Sequence, residues 1–371
     1  MGTDVVRTRS QESRLGAQLT AEVLDYRASA FSDNTKKTYR THLTSYLRFC
    51  AEMDIMPVPV NEQTVAQYAA YLARRLKPSS IKQYINIIRI LHLESGLPHP
   101  FKDSWYVQTT LKGIEKSKGC AVNKKTPITP ELLHIIKRQL NFLCKEDIVF
   151  WAACLVLFFG VLRKSNLFQD NGNFDPDKQL TRDRVVILGT DSVSITFQWS
   201  KTIQRKERSV EIKLPAMPSH PLCPVSAVTE MFHVLGPMGP KAQVFPIKGS
   251  DFNKRLRVTA AVAGGNFSSH SFRRGGAAWA LSCGVPGEIV KVMGDWKSTA
   301  YLGYLDQLPP KGFEPRSRMH YCDELLFHST TPLVHTSLVT AMCPECLARL
   351  VTVWRSTLQP HLKVSPLTTT D

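Results

Sequence analysis

Three stretches of the chain place basic and aromatic side chains where they could act on a phosphate. Arg163 follows directly on a strongly apolar run in FFGVLRKSNLF, and His270 and Arg273 stand three apart in HSFRRGGA. Residues three apart on a helix share a face. Downstream, GDWKSTAYLGYLD offers Trp296 and two tyrosines, Tyr301 and Tyr304, again three apart. A phosphodiester under attack becomes a more highly charged pentacoordinate species, so fixed positive donors aimed at its non-bridging oxygens lower the barrier. Arginine suits that task because its planar fork binds two oxygens and stays charged near neutral pH, whereas lysine acts as a point charge. His270 and the indole N–H of Trp296 are further donors. Either tyrosine is a candidate nucleophile once its phenol, with an ordinary pKa of about 10, gives up its proton.

Elements that would position these groups are legible around them. From about Ser13 to Ser117 the apolar residues recur at helical spacing, as in TYRTHLTSYLRFC, TVAQYAAYLARRL and IKQYINIIRILHLESG, with breaks at SDN, MPVPVN, KPSS and GLPHP. This predicts four or five helices. The polar, basic stretch SKGCAVNKKTPITP ends with Pro127 and Pro130 and reads as an extended connector. After it, PELLHIIKRQLNFL and EDIVFWAACLVLFFGVL are helical, and RVVIL, SVSITFQW and RSVEIKLP carry β-branched bursts that predict a small antiparallel sheet. From Pro224 onward the pattern is helical again, through SHSFRRGGAAWALSCG, PGEIVKVMGD and KSTAYLGYLDQL. The expected class is therefore mainly α with a small antiparallel β-sheet. The expected divisions are an extension over 1–30, a helical domain over 31–118, a linker over 119–128, a second domain over 129–310 and a tail over 311–371.

Length and composition bound the function. At 371 residues the chain is long enough for two cores, because single cores stop growing at roughly 250 to 300 residues. No apolar run approaches the roughly 20 residues that span a bilayer, and the first thirty residues lack the apolar centre of a secretory signal. The nine cysteines are an odd number, several of them inside apolar runs such as WAACLVLFF, and read as mostly buried free thiols in a reducing compartment. A net charge of +16 points to a polyanionic partner. It divides as +8 over 1–128, +7 over 129–310 and +1 beyond, so both domains share the excess instead of a basic tail. Lys36, Lys37 and Arg40, then Arg74, Arg75, Lys77 and Lys82, are candidates for tracking a DNA backbone, as is Arg274 beside Arg273. A helix cap is the alternative for Arg274, and solvated helix faces are the alternative for the others.

The joint set resembles the tyrosine recombinase, or phage integrase, family over about Ser32 to Leu308. That family's order is Arg, Lys, His-x-x-Arg, His or Trp, Tyr. Arg163 in GVLRKSNL matches the first arginine, Lys201 in the SKT turn matches a β-hairpin lysine, and His270 and Arg273 in HSFRR match the central motif. Trp296 in GDW and Tyr304 match the last two positions. The wording LRKSNL, HSFRRGGA and GDWKSTAYLGYL is most similar to the eukaryotic mobile-element branch, the DIRS-like, Ngaro-like and Crypton-like recombinases.

The resemblance implies a helical SAM-like core-binding domain that clamps DNA and a catalytic domain of the DNA breaking-rejoining fold. It implies strand transfer through a 3′-phosphotyrosyl bond on Tyr304, with Lys201 protonating the leaving 5′-hydroxyl and His270 as a base. It implies no cofactor, neither ATP nor metal, and a homotetramer on double-stranded DNA. A nuclear location follows if the host is eukaryotic, and a cytoplasmic one otherwise. Tyr301 remains the rival of Tyr304, and Arg205 and Lys206 remain rivals of Lys201. One departure stands out: three residues after Arg163, where the family often has an acid to orient the arginine, the chain has Asn166. In the tail, His320, Cys322, Cys343 and Cys346 have a spacing that could hold zinc, against the simpler reading of loose thiols, which is the one adopted. A DNA-binding protein that has lost strand transfer and a type IB topoisomerase are the competing functions.

Overall fold

A computed structural model of the chain describes residues 14–119, 125–169, 174–200, 203, 208–299 and 301–303. Two units divide the chain, Met1–Asn123 and Lys124–Asp371. Among the described residues of the first, five helices follow one another: α1 (Arg14–Ser29), α2 (Asp33–Met53), α3 (Glu62–Ala73), α4 (Pro78–Glu94) and α5 (Trp105–Lys118). Their starts are marked by chemistry. The side chains of Ser32, Asn61 and Ser104 accept the backbone N–H of Thr35, Thr64 and Val107, which satisfies donors that lack a partner in a first turn. α4 begins with Pro78 instead, whose missing N–H loses nothing at that position. Tyr46, Phe49, Val65, Tyr68, Leu72, Ile81, Ile85 and Ile88 meet in the core. The two tyrosines keep their buried hydroxyls bonded, Tyr46 donating to the Pro57 carbonyl at 2.9 Å and Tyr68 to the Ser45 hydroxyl at 3.1 Å.

The second unit is built round α7 (Lys145–Phe159), which is buried on every side from Ile148 to Phe159, as a helix apolar all round must be. α9 (Pro224–Leu235) and α11 (Ser269–Ser282) pack against it. α6 (Pro130–Arg138), the single turn α8 (Lys164–Leu167), α10 (Gly249–Thr259) and α12 (Gly287–Met293) complete the helices. The strands β1 (Val185–Leu188), β2 (Ser192–Phe197) and β3 (Val210–Pro215) form one antiparallel sheet in chain order, with Val185 opposite Ile195 and Ser192 opposite Pro215. Val193, Ile195, Phe197, Ile212 and Leu214 turn one face of that sheet into the core. Of the described cysteines, Cys50, Cys154 and Cys223 are buried and Cys144 and Cys283 half-buried. Among the described residues no helix is long and apolar enough to cross a membrane.

Candidate active site

Two helices of the second unit end in the same way. α7 runs out at Gly160 and Val161 turns left-handed at φ 52; the Val161 N–H donates to the Phe158 carbonyl at 3.2 Å and the Leu162 N–H to Leu157 at 3.1 Å. α12 runs out at Gly294 and Asp295 turns left-handed at φ 51; its N–H donates to Val292 at 2.9 Å and the Trp296 N–H to Lys291 at 3.0 Å. This pair of bonds around a left-handed residue is the Schellman arrangement, which glycine ordinarily closes. A Cβ in that conformation costs roughly 1–2 kcal/mol. Here a valine and an aspartate occupy the position, and each leads directly into a candidate residue, Arg163 and Trp296.

Arg273 ties the two helix ends together. Its Nη1 donates to the Val161 carbonyl at 2.8 Å and its Nη2 to the Gly294 carbonyl at 2.6 Å, while the Trp296 ring lies over the guanidinium at 3.7 Å. The side chain is 2% exposed. A buried charge needs paired acceptors, and two carbonyls just past helix C-termini, the negative ends of helix dipoles, supply them. Trp296 can fold back over the arginine because residue 294 has no side chain: a Cβ on Gly294 would stand 1.8 Å from the ring. α11 is seated by two glycines that follow the arginines. A Cβ on Gly275 would stand 1.7 Å from the Ile128 carbonyl oxygen, and one on Gly276 2.1 Å from that of Phe158. The HSFRRGGA motif therefore combines a buried cation with the bare backbone that brings it to the end of α7.

Arg163 lies across the same crevice with its side chain 22% exposed. Its backbone N–H donates to Asn166 Oδ1 at 2.9 Å, its Nη2 donates to the Asp295 carbonyl at 3.2 Å, and its Nη1 lies 3.9 Å from Asp295 Oδ2. Arg208 pairs with Oδ1 of the same carboxylate, and the Ser200 hydroxyl donates to Oδ2 at 3.2 Å. Ser200 is bridged to Ile203 by N–H···O bonds of 3.2 and 3.1 Å. His270, in the first turn of α11, is exposed as a residue. Its pKa is nonetheless pushed below the ordinary value, first by the loss of water around the ring and then by the charges of Arg273, Arg274 and Arg163.

The structure thus brings together Arg163, His270, Arg273 and Trp296 from three separated stretches. Lys201 and Tyr304 lie outside the described residues, as do Arg205, Lys206, His320, Cys322, Cys343 and Cys346. Tyr301 is 8% exposed and packs with its ring centre 6.2 Å from that of Trp296. Lys36, Lys37 and Arg40 are exposed on α2, and Arg74, Arg75 and Lys77 are exposed between α3 and α4. Lys82 is exposed on α4 and paired with Glu115 at 2.7 Å. Arg274, for which a contact with the DNA backbone and a helix cap stood as alternatives, is 6% exposed on α11, beside Arg273 at 2%. Sequence reasoning passed over Asp295 and Ser200, and the only signal for the former was its place beside Trp296. Among the described residues no three His, Cys, Asp or Glu side chains stand close enough to hold a metal ion.

Residues 19–94 match the family model for the phage integrase N-terminal SAM-like domain. Among solved structures, the chain is similar to a lambda integrase fragment seen as a dimer bound to a COC′ core site. The TM-score is 0.53 at 12% identity, over 80% of this chain and 96% of that one. It is also similar to the Tn1549 transposon integrase in complex with transposon right end DNA, with a TM-score of 0.53 at 13% identity, over 81% of this chain and 97% of that one. No curated protein matches the chain. At these identities the likeness is one of fold: a helical first unit, matched over residues 19–94 by the SAM-like domain model, and a mainly helical second unit with a small antiparallel sheet.

Proposed function

We propose that this chain is a site-specific recombinase that cuts and rejoins duplex DNA through a 3′-phosphotyrosyl intermediate on Tyr304. The observation that carries the reading is that Arg163 and Arg273 line one crevice, with Trp296 stacked on the Arg273 guanidinium and His270 close enough to feel the charge of both arginines. Arg163 and Arg273 bind the non-bridging oxygens of the scissile phosphate, with His270 and the Trp296 indole as further donors. The Tyr304 oxygen attacks phosphorus as its proton passes to the His270 imidazole. The bond from phosphorus to the 5′ oxygen breaks, and that oxygen takes a proton from Lys201. The bond formed and the bond broken are both phosphodiesters, so the step reverses without ATP or a metal. Loss of one donor is expected to cost about 2.7–4 kcal/mol of transition-state stabilisation.

The first domain, over 31–118, serves as a DNA clamp through Lys36, Lys37, Arg40, Arg74, Arg75, Lys77 and Lys82. Exchange between two duplexes requires four cleavages and hence a homotetramer on DNA. The motif wording favours an origin in the eukaryotic mobile-element branch and action in the nucleus.

The test is trapping on nicked suicide duplexes of randomised sequence, in which the short cleaved strand diffuses away and leaves the protein attached. A covalent adduct that maps to Tyr304 by mass spectrometry and is absent in Tyr304→Phe is the expected result. Binding without an adduct, or an adduct that persists in Tyr304→Phe, refutes it. The first outcome identifies a DNA-binding protein that has lost strand transfer.

A further inference from the structure

We infer that Asp295 is a positioning residue for this site, the carboxylate that orients Arg163 and holds Ser200 beside it. The inference rests on the function just proposed. Asn166, where a carboxylate was expected, has its Oδ1 committed to the backbone N–H of Arg163. The Arg163 side chain instead donates to the neutral backbone carbonyl of Asp295 at 3.2 Å, and the anionic Asp295 carboxylate stands 3.9 Å from its Nη1. That carboxylate, with the side chain 14% exposed, also takes the Ser200 hydroxyl and pairs with Arg208. One group therefore joins the first arginine of the site to the residue immediately before Lys201.

The backbone argues the same way. Asp295 holds the left-handed closing position of α12, which glycine fills with least strain. Aspartate tolerates that conformation better than most non-glycine residues, and from there its side chain reaches Ser200 and Arg208 and faces Arg163. A guanidinium that loses its oriented partner samples other rotamers, and a displacement of about 1 Å in a reacting constellation costs on the order of a hundredfold in rate.

The test reads single-turnover adduct formation on the nicked duplexes and the spectrum of nitrogen-labelled arginine, in wild type, Asp295→Asn, Asp295→Gly and the double variant Asn166→Asp/Asp295→Asn. Asparagine and glycine both accept left-handed backbone, so the helix end is retained, and the glycine variant stands in if the asparagine variant folds poorly. The expected result is a rate constant lower by about tenfold or more in both single variants at unchanged DNA affinity. The Arg163 Nε–H resonance, assigned by its loss in Arg163→Lys, shifts or broadens alongside. The double variant, which returns a carboxylate to the same crevice from α8, recovers both readouts.

A wild-type rate in Asp295→Asn with an unmoved Arg163 resonance overturns the inference. So does a rate loss that follows the melting temperature and is not recovered in the double variant, since Asp295 would then only stabilise the fold. If wild type forms no adduct, the proposed function fails and the Arg163 resonance alone decides the role of Asp295.

Discussion

Replacing Gly276 by alanine sets two effects of opposite sign against each other. Alanine is favoured over glycine in a helix interior by roughly 0.5–1 kcal/mol. Gly276 lies mid-way along α11, where its Cβ would stand 2.1 Å from the carbonyl oxygen of Phe158, against the 3.4 Å at which ordinary contact begins. The shortfall of about 1.3 Å cannot be taken up by a side-chain rotamer, because the opposing atom belongs to the backbone of the buried α7. α11 must shift off α7. Forced overpacking, backbone shifts included, costs about 1–3 kcal/mol, so the steric term wins with a net loss of about 1 kcal/mol. At about 2–4 °C per kcal/mol for a unit of this size, the melting temperature should fall by roughly 2–4 °C. Gly113 in α5 is the control, since an added Cβ there meets nothing within 4 Å. Gly113→Ala should stabilise by roughly 0.5–1 kcal/mol. Differential scanning calorimetry of the two variants reads both signs. Arg273 lies three residues before Gly276 on the same helix, so adduct formation should drop with the shift. A Gly276→Ala protein that melts at or above wild type would refute the close seating of α11 on α7, and with it the account of how the two arginines meet.

Two further outcomes follow from the charges. His270 should titrate below its ordinary value of about 6.5 in the free protein. The unfolded chain then takes the proton first as pH falls, so the stability linked to His270 is complete above about pH 6.5 and is lost below it, toward the lowered folded pKa. Imidazole NMR across that range checks it, and a His270 signal titrating above the ordinary value would contradict the crevice described. Replacing Lys36, Lys37 and Arg40 together by glutamine should lower the slope of log affinity for duplex DNA against log salt by up to about 2.7, at about 0.9 for each phosphate that is no longer neutralised. A slope equal to wild type in binding titrations would mean that this face of α2 does not touch the backbone.

Much of the frame was legible because its signals are local. The apolar run before Arg163 announces α7, the three β-branched bursts announce the sheet, and the spacing of His270 and Arg273 announces a shared helical turn. What escaped is long-range or resides in backbone angles. Asn166 read as a weakened support for the Arg163 side chain, whereas it caps the backbone of Arg163 and the carboxylate arrives from Asp295, 132 residues on. No pattern in one sequence marks Val161 as left-handed, since β-branched residues avoid that conformation. Arg273 and Arg274 are both buried on α11, and nothing in HSFRR marks either as interior. GG after HSFRR was visible as composition, but its meaning, two carbonyls within reach of a missing Cβ, needed the packed helices.

The bonds from Arg273 to the ends of α7 and α12 have a consequence for how such a protein would age. A residue that only meets DNA drifts freely once strand exchange ceases to matter to its host. Arg273 does not, because its removal leaves two carbonyls and a tryptophan face without their partner inside the fold, and selection for a soluble chain alone would keep it. Among descendants of such a gene the arginine would persist as a record of folding. Changes at Tyr304 and Lys201 would be the earlier and more informative marks that the chemistry had been abandoned.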